Sequence, residues 1–224
     1  PLDPIALAEE FAAYGKRLAP HIIDTVYELH DCANAGKKIL FEGANACLLD
    51  IDHGTFPYVT SSNCSSLGIH AGTGLPGKYV NDVVGIMKAY STRVGGGPFP
   101  SEELGEIGER IRDRGNEYGT TTGRPRRCGW LDLVAVKYSA MICGTTSIAC
   151  MLLDVLSGFE EIKLCVAYEL PDGTRSERFI PDARKLASAK PIFETIPGWS
   201  EEIVDVTSPE KLPENAKAFL NRIS

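Results

Sequence analysis

Apolar residues at positions 5, 7, 8, 11, 12 and 18 recur at helical spacing and predict a helix over 5–18. Pro20 interrupts it, and 22–32 reads as a second helix that ends in Ala33-Asn34-Ala35-Gly36. The run KILF at 38–41 predicts a short buried strand, and LLDID at 48–52 begins another element that His53-Gly54-Thr55 breaks. Residues 54–77 are rich in Gly, Ser, Thr, Asn and Pro, too long a stretch for a plain connector. A β-branched run at 83–94 predicts a strand, stopped by GGGPFP, and 102–114 patterns as a charged amphipathic helix. After the loop GTTTGRPRRCGW at 119–130, residues 131–142 predict a helix with Leu131, Val134, Ala135, Tyr138 and Met141 on one face. Residues 145–153 read as a buried strand closing in Asp154-Val155-Leu156. A strand at 161–170, the turn Pro171-Asp172-Gly173-Thr174 and a partner at 175–180 predict a hairpin. A short strand at 191–195 and a helix at 213–223 complete the chain.

Strands alternating with helices place the chain in the α/β class. The expected architecture is a mixed, largely parallel central sheet with flanking helices and a small antiparallel excursion near 161–180. Residues 1–224 form a single α/β domain portion in which no internal boundary stands out, and there is no internal repeat.

Composition narrows the role. Hydrophobic residues make up 43% and charged residues 24%, an ordinary globular balance. The net charge of −7 argues against nucleic acid and membrane surfaces as partners, but not against a small anion held by a local cluster. Seven cysteines, an odd number without CxxC spacing, point to free thiols in a reducing, cytoplasmic setting. No apolar run approaches the ~20 residues of a membrane span. The opening PLDPIALAEEF lacks the pattern of a signal peptide and, without an initiator Met, reads as the start of a truncated or processed chain.

The densest chemistry lies at 120–127, where three Thr, a Gly and Arg124, Arg126 and Arg127 precede a helix. Arg forks bind carboxylates and phosphates, and hydroxyls complete such a shell. Gly123 lets a backbone approach closely. The same composition also suits a solvated basic loop. Asn45, after Phe41-Glu42-Gly43-Ala44, offers a donor and an acceptor to a base edge. Asp50 and Asp52 suit a metal or, better, the capping of a turn, and His53 reads as a hydrogen-bonding loop residue. The hydroxyl-rich run 58–63 and the segment 90–95 each suit either a ligand or a turn. Asp154, ending an apolar strand, either accepts from the N1–H and 2-amino group of guanine or caps the next turn.

Five stretches, taken in order, resemble the adenylosuccinate synthetase family: FEGANACLLDIDHGTFPYVTSSN, KAYSTRVGGGPFP, GNEYGTTTGRPRRCGWLDLVAVKY, LDVLSGFEEIKLCVAY and FETIPGW. The resemblance implies a ligase that uses GTP and Mg²⁺ to join IMP to L-aspartate, giving adenylosuccinate, GDP and phosphate, the first committed step from IMP to AMP. In that family GTP first phosphorylates the IMP 6-oxygen, and the aspartate amine then displaces the phosphate. Carried over by position, Asn45, Thr60 and Arg124 would bind IMP. Val94 and the run Thr120, Thr121, Thr122, Gly123, Arg124, Pro125 and Arg126 would bind L-aspartate. Arg126, Leu152, Leu153 and Asp154 would bind GTP. Asn45 stands where many relatives have Gln, and Leu152 where the family has Lys. The family's glycine-rich phosphate loop, its catalytic Asp and His, and its C-terminal guanine segment have no counterpart here, so the Mg²⁺ ligands are expected outside this chain. The resemblance also implies a homodimer. No GxxxxGK[ST] motif supports a different phosphate-binding enzyme.

Overall fold

The computed structural model describes residues 2–224. Its contacts divide the chain into two compact units, one of residues 1–42 and 69–80, the other of 43–68 and 81–224.

The first unit is helical. Helix α1 (Pro4–Leu18) starts where the Asp3 carboxylate accepts from Ile5 N–H at 2.9 Å, with Pro4 in the first turn and Lys16 and Arg17 in the last. These are favourable end effects for the helix dipole. Asp24 caps α2 (Thr25–Asn34) in the same way. No residue of either helix is buried. Segment 38–41, expected as a strand, is irregular, and Leu40 is 94% exposed. A strand needs a partner for its backbone groups, and 38–41 has no ladder among the described residues. The second piece of this unit carries most of α3 (Leu67–Thr73), a helix inside the loop-like 54–77 stretch.

The second unit is mixed α/β, with parallel and antiparallel pairs as the sequence suggested. The run 83–94 divides into β1 (Val84–Lys88) and β2 (Ser91–Arg93). Strand β2 pairs antiparallel with β3 (Arg127–Gly129), so the end of the expected 119–130 loop is in fact extended. Strand β4 (Leu131–Asp132) runs parallel to β6 (Glu161–Glu169). β1 runs parallel to β5 (Ser147–Met151). The excursion near 161–180 is antiparallel: β6 pairs with β7 (Arg175–Ser176) and, over most of its length, with β8 (Lys190–Pro197).

Helix α4 (Glu106–Arg114) matches the charged amphipathic pattern, burying Ile111. Helix α5 (Leu133–Cys143) begins two residues later than expected, because Leu131 and Asp132 join the sheet. Its buried face is carried by Leu133 and Val134, whereas Met141 is 71% exposed, against the expected stripe. Asp132 caps it through Ala135 N–H and also accepts from Tyr168 O–H at 2.7 Å; burial raises its pKa. Helix α6 (Ala183–Ser188), capped by Asp182, had no clear sequence signal, and α7 (Glu214–Ile223) closes the unit. The larger core gathers Tyr90, Ile111, Trp130, Leu156, Ile162, Leu164, Trp199 and Phe219 between the β6–β8 sheet and helices α4 and α7. That core anchors the roots of β2, β3 and the 115–127 loop.

Candidate functional site

The Thr/Arg-rich segment is a two-stranded arm. Tyr118 and Pro125 form an antiparallel bridge. Gly119 N–H donates to Arg124 C=O at 2.9 Å, and Arg126 N–H to Glu117 C=O at 2.8 Å. Gly123 closes the tip at φ +63°, a backbone that favours glycine, while a Cβ there would meet nothing within 4 Å. Within the chain the glycine serves the turn, and the space beside it is open. Thr120, Thr121, Thr122, Gly123, Arg124 and Pro125 are all exposed on this arm. The Arg124 guanidinium has no hydrogen-bond partner among the described residues, so its fork is open to a ligand. Arg126 points the other way, into the stem.

Beside the stem lies an open cleft of about 460 Å³, lined by Lys88, the 115–120 segment, Arg126 and Leu152. At its base Glu117 is buried. One carboxylate oxygen accepts from Lys88 Nζ at 2.5 Å and Tyr90 O–H at 2.6 Å, and the other from Arg126 Nη1 at 2.8 Å. Burial opposes the charge of Glu117, yet the bonds from Lys88 and Tyr90 and the cations around it hold its pKa below the ordinary glutamate value. Burial and the same carboxylate push the Tyr90 phenol up. Sequence reasoning missed Glu117 and Lys88, and it noted Tyr90 only within the 90–95 segment, not as a partner of Glu117. The available signal was three polar residues in apolar or glycine-bounded settings, which only the fold brings together.

A second bridge joins two further predicted segments. Arg93, at the end of β2, donates from Nη2 to Thr55 Oγ1 at 2.9 Å and from Nε to Gly96 C=O at 2.8 Å. Burial and the nearby charge of Arg127 push its pKa down. Arg127 is paired with Glu102 and donates to Gly97 C=O at 2.7 Å. Gly97 sits at φ +99°, where a Cβ would strike Arg93 and the Tyr58 ring. Val94 is thus held, exposed, between two pinned loops, and Thr60 is fixed through its N–H to Leu49 C=O at 2.8 Å. Asn45 does not follow a strand, since 38–41 is irregular; it is exposed at φ +65°.

Strand β5 ends at Met151. Leu152 takes the left-handed backbone, φ +60°, and opens a 3-10 turn, Leu153–Leu156. That conformation costs a non-glycine residue roughly 1–2 kcal/mol. It puts Leu152 on the cleft wall, and both Leu152 and Leu153 pack against the core. The turn has no side-chain cap, so the Asp154 carboxylate does not serve as one. Its main-chain oxygen accepts from Arg114 Nη2 at 3.1 Å, and its carboxylate has no hydrogen-bond donor among the described residues.

Asp50 and Asp52 prove structural. Buried Asp50 accepts from the N–H groups of Asp52, His53, Cys64 and Ser65, and Asp52 accepts from Asn63 Nδ2 at 2.6 Å. Burial works against the Asp50 charge, but the four N–H donors bring its pKa down to about 2. His53 contributes its carbonyl, which accepts from Tyr138 O–H at 2.9 Å. Among the described residues no three His, Cys, Asp or Glu side chains converge in a way that suits a metal ion. With Asp50 saturated by backbone donors, these residues do not fit the implied magnesium. All seven cysteines are free thiols, and among the described residues no helix is long and apolar enough to cross a membrane.

The adenylosuccinate synthetase family model matches residues 2–224. The chain is 49% identical, over 223 residues, to adenylosuccinate synthetase of Desulfatibacillum aliphaticivorans, covering 100% of this chain and 52% of the relative. It is 50% identical over 214 residues to that of Clostridium perfringens (strain 13 / Type A), covering 96% of this chain and 50% of the relative. The chain therefore spans about half the length of the curated relatives it matches. Among solved structures, the fully ligated adenylosuccinate synthetase from Plasmodium falciparum superposes with a TM-score of 0.95 at 40% identity, covering 100% of this chain and 53% of that one. The Thr/Arg arm, the pinned loops beside it and the turn after β5 all lie within these matches, and the chain belongs to the adenylosuccinate synthetase family.

Proposed function

We propose that the chain works as part of a GTP-dependent ligase joining IMP to L-aspartate, with adenylosuccinate, GDP and phosphate as products. The observation that supports this reading is the juxtaposition at one stem of an exposed Thr/Arg arm and a cleft lined by Lys88, Arg126, Leu152 and the root of that arm. On this reading Thr120, Thr121 and Thr122 present hydroxyls, and Arg124 its unpaired fork, to the aspartate carboxylates, with Gly123 and Pro125 shaping the tip and Val94 flanking them. Asn45 and Thr60 take IMP with Arg124. Arg126, Leu152, Leu153 and Asp154 form the GTP side, Leu152 covering the base with an apolar face in place of the family's Lys. The working protein is a cytoplasmic homodimer that requires Mg²⁺.

The test is Arg124→Leu in a full-length synthetase carrying these residues, assayed for adenylosuccinate with IMP, GTP, Mg²⁺ and L-aspartate. Removing one partner of a charged pair costs about 2–5 kcal/mol. kcat/KM for aspartate should therefore fall at least about thirtyfold, by the tenfold-per-1.4 kcal/mol rule, with GTP affinity much less affected. An aspartate kcat/KM within about threefold of the parent, under ~0.7 kcal/mol, removes Arg124 from the carboxylate site.

A further inference from the structure

The roles proposed above leave Glu117 without a part, yet it is the buried charged residue among those lining the cleft. We propose that Glu117 is a positioning residue for the nucleoside triphosphate: it clamps Arg126 and Lys88 so that their remaining N–H donors face the cleft.

The division of its oxygens supports this. Lys88 Nζ and Tyr90 O–H share one oxygen, and Arg126 Nη1 takes the other. The clamp is doubled in the backbone. Arg126 N–H donates to Glu117 C=O, and Arg112 Nε donates to Arg126 C=O, each at 2.8 Å. Arg126 therefore has little freedom at either its root or its head.

What the clamp leaves unused points to a ligand. A guanidinium has five N–H donors, and Glu117 satisfies one of them. Arg126 Nε is buried with no acceptor among the described residues, so the donors left for a ligand are those of its terminal nitrogens. Lys88 Nζ keeps a weaker contact to Thr92 Oγ1 at 3.3 Å and remains partly exposed at the mouth. Two cations and one carboxylate leave one net positive charge in the cleft, which suits a polyanion. A volume of about 460 Å³ lies within the usual range for a small-molecule site, ~300–1,000 Å³. Leu152 supplies an apolar wall for a base. These features together fit a nucleotide better than a lone amino-acid carboxylate, for which the exposed Arg124 fork is available. Without Glu117, Lys88 and Arg126 would repel each other and lose the carboxylate whose two oxygens they divide.

This inference rests on the proposed ligase activity for its kinetic readout but not for its binding readout. The variants are Glu117→Gln, which keeps the shape and loses the charge, and Glu117→Asp, which keeps the charge on a shorter stem. Tyr90→Phe is a milder third variant, removing one donor from the carboxylate and sparing both cations. Each is made in a full-length synthetase carrying these residues. KM for GTP, IMP and L-aspartate, binding of a fluorescent GTP analogue, and the melting temperature are measured together. For Glu117→Gln the GTP KM and the analogue Kd should rise at least about tenfold, equivalent to ~1.4 kcal/mol. The KM values for IMP and aspartate should stay within about threefold. Glu117→Asp should recover part of the loss, and Tyr90→Phe should shift the same two constants in the same direction by less.

A lower melting temperature with GTP constants within about threefold would make Glu117 a support of the arm and overturn the inference. A parallel rise of all three KM values would overturn it too. A parent that binds the analogue but makes no adenylosuccinate defeats the proposed activity alone, and the binding constants of the variants then decide the role of Glu117. A parent that binds no analogue defeats both.

Discussion

At the scale of single residues, two aspartates show how placement separates structure from chemistry. Asp50 is a buried anion surrounded by four backbone N–H donors, and its pKa falls to about 2. A carboxylate titrates near 3.9 in an unfolded chain, so the folded state binds its proton less tightly. The stabilisation is then fully present above about pH 4 and is lost as the pH falls through about 2. Its size is on the order of 2 kcal/mol. Asp50→Asn substitutes an amide that places donors against donors. It should lower the midpoint of chemical denaturation at pH 7, and the gap to the parent should close as the pH is lowered toward 2. A gap that is constant with pH would mean that the loop, and not the charge, is what the variant damages. Asp154 is the opposite case, an aspartate whose carboxylate has no donor among the described residues.

At the scale of elements, the end of β5 explains that difference. A strand that ran on through Leu153 would place Asp154 as an ordinary cap. Instead the strand stops at Met151, Leu152 turns left-handed, and a 3-10 turn carries Asp154 past the cleft wall with its carboxylate unused. Guanine offers two donors on one edge, matched by an ionised carboxylate with two acceptors. Xanthine replaces the 2-amino donor with an acceptor. Asp154→Asn should therefore shift kcat/KM from GTP toward XTP by at least about tenfold, because mismatched buried polar groups cost about 1–3 kcal/mol each. The assay compares both nucleotides with both proteins, and an unchanged ratio would place the base elsewhere.

Elements set by local rules were legible in the sequence. Helical patterning marked α1 and α4, helices were expected at 22–32 and 213–223 close to α2 and α7, and the turn at 171–174 marked the β6–β7 hairpin. Elements that depend on a distant partner were not. The KILF run has strand composition but no neighbour among the described residues, and Leu40 stands in solvent. Conversely Arg127–Gly129 looks like loop and is a strand, because β2 supplies its ladder. The site follows the same division. The hydroxyls and guanidiniums of 120–127 can be read from composition, because they are adjacent in sequence. The Glu117–Lys88–Tyr90 cluster cannot, since its members lie 27 and 29 positions apart and meet only through the fold.

At the scale of the whole molecule, large apolar side chains stand exposed in both units. Parallel strands are ordinarily covered on both faces, yet in the parallel β1–β5 pair Val84, Ile86, Ile148 and Met151 are all exposed. In the helical unit, Ile5, Phe11, Ile22 and Tyr27 face solvent as well. Contiguous exposed apolar patches beyond a few hundred Å² mark interaction surfaces or aggregation hazards. The 224 residues also lack, among those described, any converging group of metal-binding side chains. Phosphoryl transfer depends on positioning and charge stabilisation around the phosphates and their metal. Residues 2–224 alone should therefore bind a hydrophobic dye such as ANS strongly, associate with themselves, and form no adenylosuccinate from IMP, GTP, Mg²⁺ and L-aspartate. A protein of the relatives' full length carrying the same residues should bind less dye per chain and turn over. Dye fluorescence, sedimentation and product formation on both proteins provide the comparison. Turnover by the 224-residue chain at an ordinary enzymatic rate, about 1–10³ per second, would show that these residues suffice for catalysis. A dye-silent monomer would show that its apolar side chains find cover within the chain itself.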